Sequence, residues 1–193
     1  MEYIPVVMIR DNLRDIPQSP LPHGYSLRFW RPGDAETWVR IWQESETLLR
    51  EKEPSLKAHG VTRETFDKNF GDDLAAMTKR CLFVVAPDGR DVGTTTAWYD
   101  RNYAGKPWGR IHWVAISHDH QGKGLAKPMM TAAMNLMKRL GHRRAILGTQ
   151  TPRLAAIKVY LDFGFVPDMT AEDAARAWKL IQDELHHPAL RGF

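Results

Sequence analysis

One stretch, Ile111 to Met130, constrains the fold of this chain more than any other, because it joins an apolar β-prone run to a glycine-rich loop and then to an amphipathic pattern. A strand, loop and helix in that order aim several backbone N–H groups and the positive end of a helix dipole at one point. The two glycines of the loop Gln121 to Ala126 let its backbone approach a ligand closely, and Lys123 and Lys127 add positive charge. The stretch predicts a phosphate-binding turn, with a plain strand-to-helix turn as the alternative.

Composition limits the class of protein. A chain of 193 residues that is 43% hydrophobic predicts a single domain over residues 1–193. Its 27 basic and 23 acidic residues give a net charge of only +4 without a Lys/Arg-rich block, which suits a small anionic ligand as well as a nucleic-acid surface. No apolar run reaches the ~20 residues of a membrane span, and no signal peptide is evident. The single cysteine, Cys81, lies in an apolar run, so we expect a buried thiol and a cytoplasmic protein.

The first quarter of the chain predicts an edge strand or arm, a second strand and one helix. Residues 1–24 contain an apolar run, Tyr3 to Ile9, and a proline-rich connector, which together indicate an edge strand or an arm lying on the domain. The alternating run Tyr25 to Trp30 predicts a second strand. Asp34 is the expected cap of an amphipathic helix over Ala35 to Arg50.

Residues 51–80 are polar and broken by turn-forming residues. Thr62 predicts the cap of a short helix, Arg63 to Phe70, and Asp72 to Lys79 predicts another turn or two of helix. Segments of this kind often move, so we expect an acceptor-binding lid here.

Three strands are expected in the middle of the chain. Cys81 to Ala86 and Asp91 to Tyr99 flank an Asp88-Gly89 pair, which is a strong hairpin signal. Residues 103–109 are rich in glycine, proline and aromatics and predict a loop. The run Arg110 to Ser117 then predicts a strand antiparallel to its predecessor, because the connection is short.

The last part of the chain alternates helices with short strands. Met and Leu residues at helical spacing predict a helix over Ala126 to Leu140. The strand Arg144 to Thr149 follows that helix, so it should lie parallel to the strand before it. Pro152 to Phe163 predicts another helix, and residues 170–186 predict a C-terminal helix capped by Thr170.

The order of these motifs resembles the GCN5-related N-acetyltransferase (GNAT) superfamily. The resemblance rests on a strand, a Q/R-x-x-G-x-G/A loop, a helix, a strand and a helix ending in Tyr160-x-x-x-Gly164-Phe165, and is clear from Cys81 to Val166. It implies an α/β fold with a seven-stranded, mostly antiparallel mixed sheet flanked by helices, whose central parallel pair splays around acetyl-CoA. It also implies an amine acceptor on a small molecule or a peptide, with no nucleic acid, membrane or metal partner. A homodimer stays open.

The resemblance also implies roles for individual residues. The pyrophosphate-binding motif matches Gln121, Gly122, Lys123, Gly124, Leu125 and Ala126, with Lys127 beside it. The strand end that pairs with the pantetheine arm matches Val114, Ala115 and Ile116. Tyr160 matches the residue that in many members protonates the departing thiolate, although a tyrosine that only packs at the helix end is the alternative.

His112 is the candidate base for the attacking amine. It is expected to share strand parity with Val114 and Ile116, and serotonin N-acetyltransferase-like members carry a base at the matching position. A histidine that merely packs on the strand is the alternative, and no carboxylate or cysteine pattern supports a metal site with its neighbours. Arg153 departs from the family, in which an Asn that touches the pantetheine is common.

Two alternative functions remain open. A non-catalytic CoA-binding sensor or regulatory module would keep the same loop and strand, although retention of Tyr160 and His112 favours an enzyme. A nucleic-acid-binding protein would need a recognition helix or a clustered basic stripe, and the sequence has neither.

Overall fold

In the computed structural model, which describes residues 1–47 and 60–192, seven strands form one sheet. In chain order they are β1 (Pro5–Arg10), β2 (Ser26–Phe29), β3 (Cys81–Val85), β4 (Asp91–Tyr103), β5 (Lys106–Ile116), β6 (Ala145–Gln150) and β7 (Val166–Pro167). Their spatial order is β2-β3-β4-β5-β6-β1-β7. Among the strands of the described residues, only β5 and β6 pair in parallel, so the predicted mixed sheet with one parallel pair is confirmed.

Helices cover both faces of this sheet. They are α1 (Ala35–Ser45), α2 (Arg63–Phe70), α3 (Leu74–Arg80), α4 (Ala126–Arg139), α5 (Leu154–Asp162) and α6 (Ala174–Glu184). The first three helices pack on one face and the last three on the other, as their buried side chains divide between two separate clusters. None of the helices in these two described ranges is long and apolar enough to cross a membrane.

The two faces are filled by different residue types. On the face of α1 to α3, which we call the aromatic face, the buried rings are Trp30, Trp38, Trp42, Phe66, Phe70 and Phe83. On the face of α4 to α6, which we call the methionine face, the buried side chains include Met8, Met130, Met134 and Met137. The tryptophans of α1 and the methionine stripe of α4 are therefore core residues. Cys81 is also fully buried, as expected, and burial raises the pKa of its thiol to about 11.

The helix ends agree only in part with the sequence. Thr62 caps α2 as predicted, because its hydroxyl and that of Thr65 exchange hydrogen bonds with each other's backbone N–H. Asp34 is the N-cap residue of α1 as predicted, but its carboxylate makes no capping hydrogen bond within the described residues. It accepts instead from the Arg31 N–H at 2.7 Å and pairs with Arg28. The predicted cap at Thr170 is wrong, since α6 begins at Ala174. The expected last residues of α1 and the first part of the expected lid, residues 48–59, lie outside the described residues.

Two strand predictions are corrected by pairing across the sheet. The predicted loop over residues 103–109 is mostly strand, because β4 and β5 continue to a tight turn in which Ala104 and Gly105 have φ angles of 50° and 75°. Strand β1 is not the predicted edge strand or arm. It lies between β6 and β7 and pairs antiparallel with both.

Candidate functional site

The parallel strands β5 and β6 separate soon after they meet. Their register covers only two pairs, Gly109 with Ala145 and Arg110 with Ile146, after which β6 continues alongside β1 alone. Backbone groups on the facing edges of β5 and β6 therefore become available to a ligand. This gap is the predicted splay, and it lies at the carboxyl ends of the two strands.

A run of open backbone donors lies beside the gap, at the N-terminus of α4. Within residues 1–47 and 60–192, none of the N–H groups from Gly122 to Lys127 donates a hydrogen bond. Gly122 and Gly124 have φ angles of 75° and 77°, which residues with a Cβ rarely adopt. Pro128 is the third residue of α4, where its missing N–H costs no helical bond. Open N–H groups and a helix dipole together suit a pyrophosphate.

The side chains of this loop do not all point toward such a ligand. Gln121 Nε2 donates to the carbonyl oxygens of Ser45 and Ile116, at 3.0 and 2.9 Å, so it ties the end of α1 to the end of β5. Leu125 is only 1% exposed and packs in the core. Lys127 Nζ lies 3.1 Å from Asp162 Oδ2 on α5. The loop therefore offers mainly its backbone and the exposed Lys123 side chain.

The Asp162 carboxylate, at the end of α5, contacts three side-chain nitrogens. It is within 3.3 Å of Lys158 Nζ and 3.1 Å of His187 Nε2, in addition to Lys127. Burial acts to raise the pKa of this carboxyl, but the hydrogen bonds from His187, Lys127 and Lys158 outweigh it and lower the pKa to about 2. The cluster joins the start of α4 to the end of α5 and to the C-terminal segment.

A bulge in β5 decides which side chains face which side of the sheet. Thr94 pairs with Ala115 and Thr96 pairs with His112, so two β5 residues, Trp113 and Val114, oppose Thr95. Trp113 has a φ of 52°, which is unusual for a residue with a Cβ. The bulge reverses the alternation of side chains beyond it.

The predicted shared parity of His112 with Val114 and Ile116 is therefore wrong. The His112 ring lies 5.7 Å from the Phe70 ring, on the aromatic face. Val114 and Ile116 pack with the clusters on the opposite side, beside α4. The strand was expected to alternate regularly, and the positive φ of Trp113 is what breaks that alternation.

His112 lies in apolar surroundings. Its ring contacts Phe70 and Trp113 edge-on, and it makes no side-chain hydrogen bond within the part of the chain that the structure describes. Burial, with the nearby charge of Arg110, lowers the pKa of His112 to about 3. The imidazole is therefore neutral at physiological pH.

Tyr160 lies on α5, the helix that follows β6. Its side chain is 9% exposed and packs at 6.4 Å from the Phe165 ring. Its hydroxyl makes no hydrogen bond to any residue in the two described ranges. Burial raises the pKa of Tyr160 to about 12, and the charge of Arg153 acts in the opposite direction. The hydroxyl stays protonated at physiological pH, so it has a proton to donate.

Sequence reasoning missed one charged residue near the gap. Glu46, directly after α1, is 2% exposed, and its Oε1 lies 4.0 Å from Nη2 of Arg153 at the start of α5. A signal was present, because Glu46 follows Trp42 by four residues and so falls on the buried face of the helix. A carboxylate on an apolar face needs a cationic or hydrogen-bonding partner.

A cavity of about 380 Å³ lies elsewhere on the molecule. Its polar lining residues include Asp73, Lys79, Arg80, Tyr99 and Arg101. Tyr99 pairs with Gly109, where β5 and β6 are still joined, so this cavity lies away from the splay. None of the candidate site residues lines it.

A family model described as the acetyltransferase (GNAT) family matches residues 28–165. Mycothiol acetyltransferase from Actinosynnema mirum is 26% identical over 166 residues, which cover 82% of this chain and 50% of that protein. N-acetyltransferase 8B from Rattus norvegicus is 30% identical over 101 residues, 48% of this chain and 46% of that protein. The chain thus spans about half the length of these curated relatives.

Solved structures show the same fold. A GNAT-family acetyltransferase from Colwellia psychrerythraea has a TM-score of 0.62 at 11% identity, covering 86% of this chain and 54% of its own. A GCN5-related N-acetyltransferase from Sphaerobacter thermophilus has a TM-score of 0.61 at 22% identity, covering 86% and 50%. The family match over residues 28–165 spans well over half of the chain. This chain therefore belongs to the GNAT acetyltransferase family.

Proposed function

We propose that this chain transfers an acetyl group from acetyl-CoA to a primary amine, by direct attack of the amine in a ternary complex. The observation that carries the proposal is the run of open N–H groups from Gly122 to Lys127, set beside the gap between β5 and β6. Membership of the GNAT family supports it.

The residues of the loop and of β5 suit the donor. The N–H groups of the loop and the Lys123 ammonium would hold the pyrophosphate of acetyl-CoA. Val114 and Ala115, at the edge of the gap, would pair with the pantetheine arm. Ile116 would pair with it as well, and its carbonyl oxygen also accepts from Gln121 Nε2.

The chemistry requires a proton at the sulfur and the removal of a proton from the amine. The amine nitrogen forms a bond to the thioester carbon, the C–S bond breaks, and its electron pair remains on sulfur. Tyr160 then gives its hydroxyl proton to the thiolate and regains a proton from solvent. His112 is the proposed acceptor of the amine proton. Its low pKa keeps it in the neutral form that a base needs but makes it a weak base.

The acceptor would bind on the aromatic face, where His112 lies. We propose that the acceptor is an amine on a small molecule or a peptide. We also propose that this protein works in the cytoplasm. A panel of spermidine, tyramine, glucosamine, an alanine-starting peptide and mycothiol-related amines covers this range, the last because several relatives are named mycothiol acetyltransferase. Light scattering at working concentration separates a monomer from a homodimer.

The test is CoA release from acetyl-CoA with each amine of the panel. At least one amine should give saturable turnover, and Tyr160→Phe should lower kcat about 10²- to 10³-fold, as expected for loss of one proton donor, while acetyl-CoA binding is kept. Tyr3→Phe, at a residue that is 47% exposed, is the matched control and should not change kcat. Unchanged turnover in Tyr160→Phe would remove Tyr160 from this role.

The competing function is a CoA-binding sensor without catalysis. That protein would bind CoA and acetyl-CoA but release no CoA with any amine. Calorimetric binding beside the turnover assay therefore separates the two functions.

A further inference from the structure

Arg153 occupies a junction between three elements of the site. Its backbone N–H donates to the Gln150 carbonyl at the end of β6, at 3.0 Å, and its own carbonyl accepts the first bond of α5. Its side chain is only 23% exposed, and Nη2 lies 4.0 Å from Glu46 Oε1. The guanidinium therefore reaches across the gap from α5 toward the end of α1.

Glu46 is fixed in this position by its neighbours. The preceding carbonyl, that of Ser45, accepts from Gln121 Nε2, and the Glu46 N–H donates to Trp42 at 3.3 Å. A carboxylate that is 2% exposed is costly without a cation nearby, and Arg153 supplies one. The pair thus links the end of α1 to the start of α5.

Arg153 and Tyr160 belong to the same element. Arg153 is the residue directly before α5, and Tyr160 is the seventh residue of that helix. The positive charge of Arg153 opposes the rise that burial causes in the pKa of Tyr160, so the two groups interact. Arg153 follows the end of β6, beyond the point where β5 and β6 separate.

We propose that Arg153 stabilises the negative charge that develops on the departing CoA sulfur, together with the proton from Tyr160, and that Glu46 is a positioning residue for Arg153. The inference rests on the proposed function and deepens it. As the amine–carbon bond forms and the C–S bond breaks, the electron pair moves to sulfur beside the guanidinium. Tyr160 then delivers its proton to the sulfur.

The first test measures the binding of CoA and of acetyl-CoA by calorimetry from pH 7 to 10. A nearby cation lowers the pKa of the bound thiol below that of free CoA, so CoA binding should strengthen with rising pH until the free thiol also ionises. Acetyl-CoA carries the same phosphates but has no thiol. Dividing the affinity for CoA by the affinity for acetyl-CoA therefore removes any effect of pH on phosphate binding. We expect the ratio to rise by about 10-fold, one unit of pKa, in the unaltered protein.

Three variants locate the effect. Arg153→Gln should abolish the rise in the affinity ratio and lower kcat by about 10- to 100-fold. Arg153→Lys keeps a positive charge and should restore part of the rise and part of kcat. Arg139→Gln should change neither the ratio nor kcat. Arg139 is an exposed residue at the end of α4, so its removal is a charge-matched control. A flat ratio in the unaltered protein, or a rise that survives Arg153→Gln, would overturn the proposal.

The positioning role of Glu46 is tested by coupling. Glu46→Gln should alter the pH dependence of the affinity ratio when Arg153 is present and have no further effect in the Arg153→Gln background. Equal effects in both backgrounds would show that Glu46 does not act through Arg153. Thermal unfolding of each variant confirms that it is folded. Failure of acetyl-CoA to bind at all would instead overturn the proposed function, so the two failures are distinguishable.

Discussion

The aromatic and methionine faces of the sheet differ both in what fills them and in what they leave open. Six large rings are buried on the aromatic face, and Trp38 packs edge-on against Phe66 and Phe70. The Trp113 ring packs against those of Trp38 and Trp42, with centroids 5.1 and 4.8 Å away, so this face is densely packed with rigid side chains. The methionine face is filled by flexible side chains that adapt to their neighbours. The bulge in β5 lies where the two faces meet, since His112 and Trp113 both contact the rings and the next residue, Val114, packs on the methionine face. The comparison suggests a rigid acceptor side and a more adaptable donor side.

The largest expected effect comes from removing a ring. Trp38→Ala should lower the free energy of unfolding by about 3–5 kcal/mol, because Trp38 is fully buried and touches rings on α1, α2 and β5. Met134→Leu, at an equally buried position on the other face, should cost less than about 1.5 kcal/mol. Chemical denaturation measures both. A loss of less than about 2 kcal/mol from Trp38→Ala would contradict the contribution assigned to the packed rings.

The donor side should be sensitive to acid through Asp162. Its pKa is depressed in the folded protein to about 2, against 3.8 when unperturbed, so its contribution is present above about pH 4 and lost as the pH falls toward 2. We expect at most about 2 kcal/mol from this carboxylate. Unfolding of Asp162→Asn, measured from pH 2 to 7, should lack that part of the pH dependence. Asp183→Asn, in an exposed pair on α6, is the control and should keep it.

Gly124→Ala should weaken the binding of acetyl-CoA. Its φ of 77° disfavours any residue with a Cβ, so the loop should shift and the KM for acetyl-CoA rise about 10-fold, from strain of about 1–2 kcal/mol. Gly105→Ala, at a φ of 75° in the β4–β5 turn, imposes the same strain far from the phosphate loop. An equal rise in KM in both variants would mean that general destabilisation is the cause.

His112→Gln probes the acceptor side and should have the smallest effect. We expect kcat to fall by no more than about 10-fold, less than the 10²–10⁴ of a strong general base, because the buried imidazole is a weak base. The KM for acetyl-CoA should not change. A fall of more than 10³-fold would assign His112 a dominant role.

Local patterns in the sequence were sufficient to predict the helices, the glycine-rich loop and the family. The capping threonine at position 62 and the spacing of methionines in α4 act within a turn or two, so they can be read directly. The bulge at Trp113 could not be predicted, because the Trp113 ring packs against Trp38 and Trp42 of α1, which lie about 70 positions earlier in the chain. The pairing of Glu46 with Arg153 was hidden for the same reason, since it joins residues more than 100 positions apart.

The position of β1 has a consequence for how this protein is made. Residues 5–10 are synthesised long before residues 145–150 and β7, with which they pair. Both edges of β1 stay without these partners until those residues have emerged from the ribosome, and pairings between such distant segments form slowly. We expect the sheet to close only after β6 has been synthesised. A truncation that removes residues 5–10 would leave β7 with no strand to join, although the entire candidate site would still be encoded.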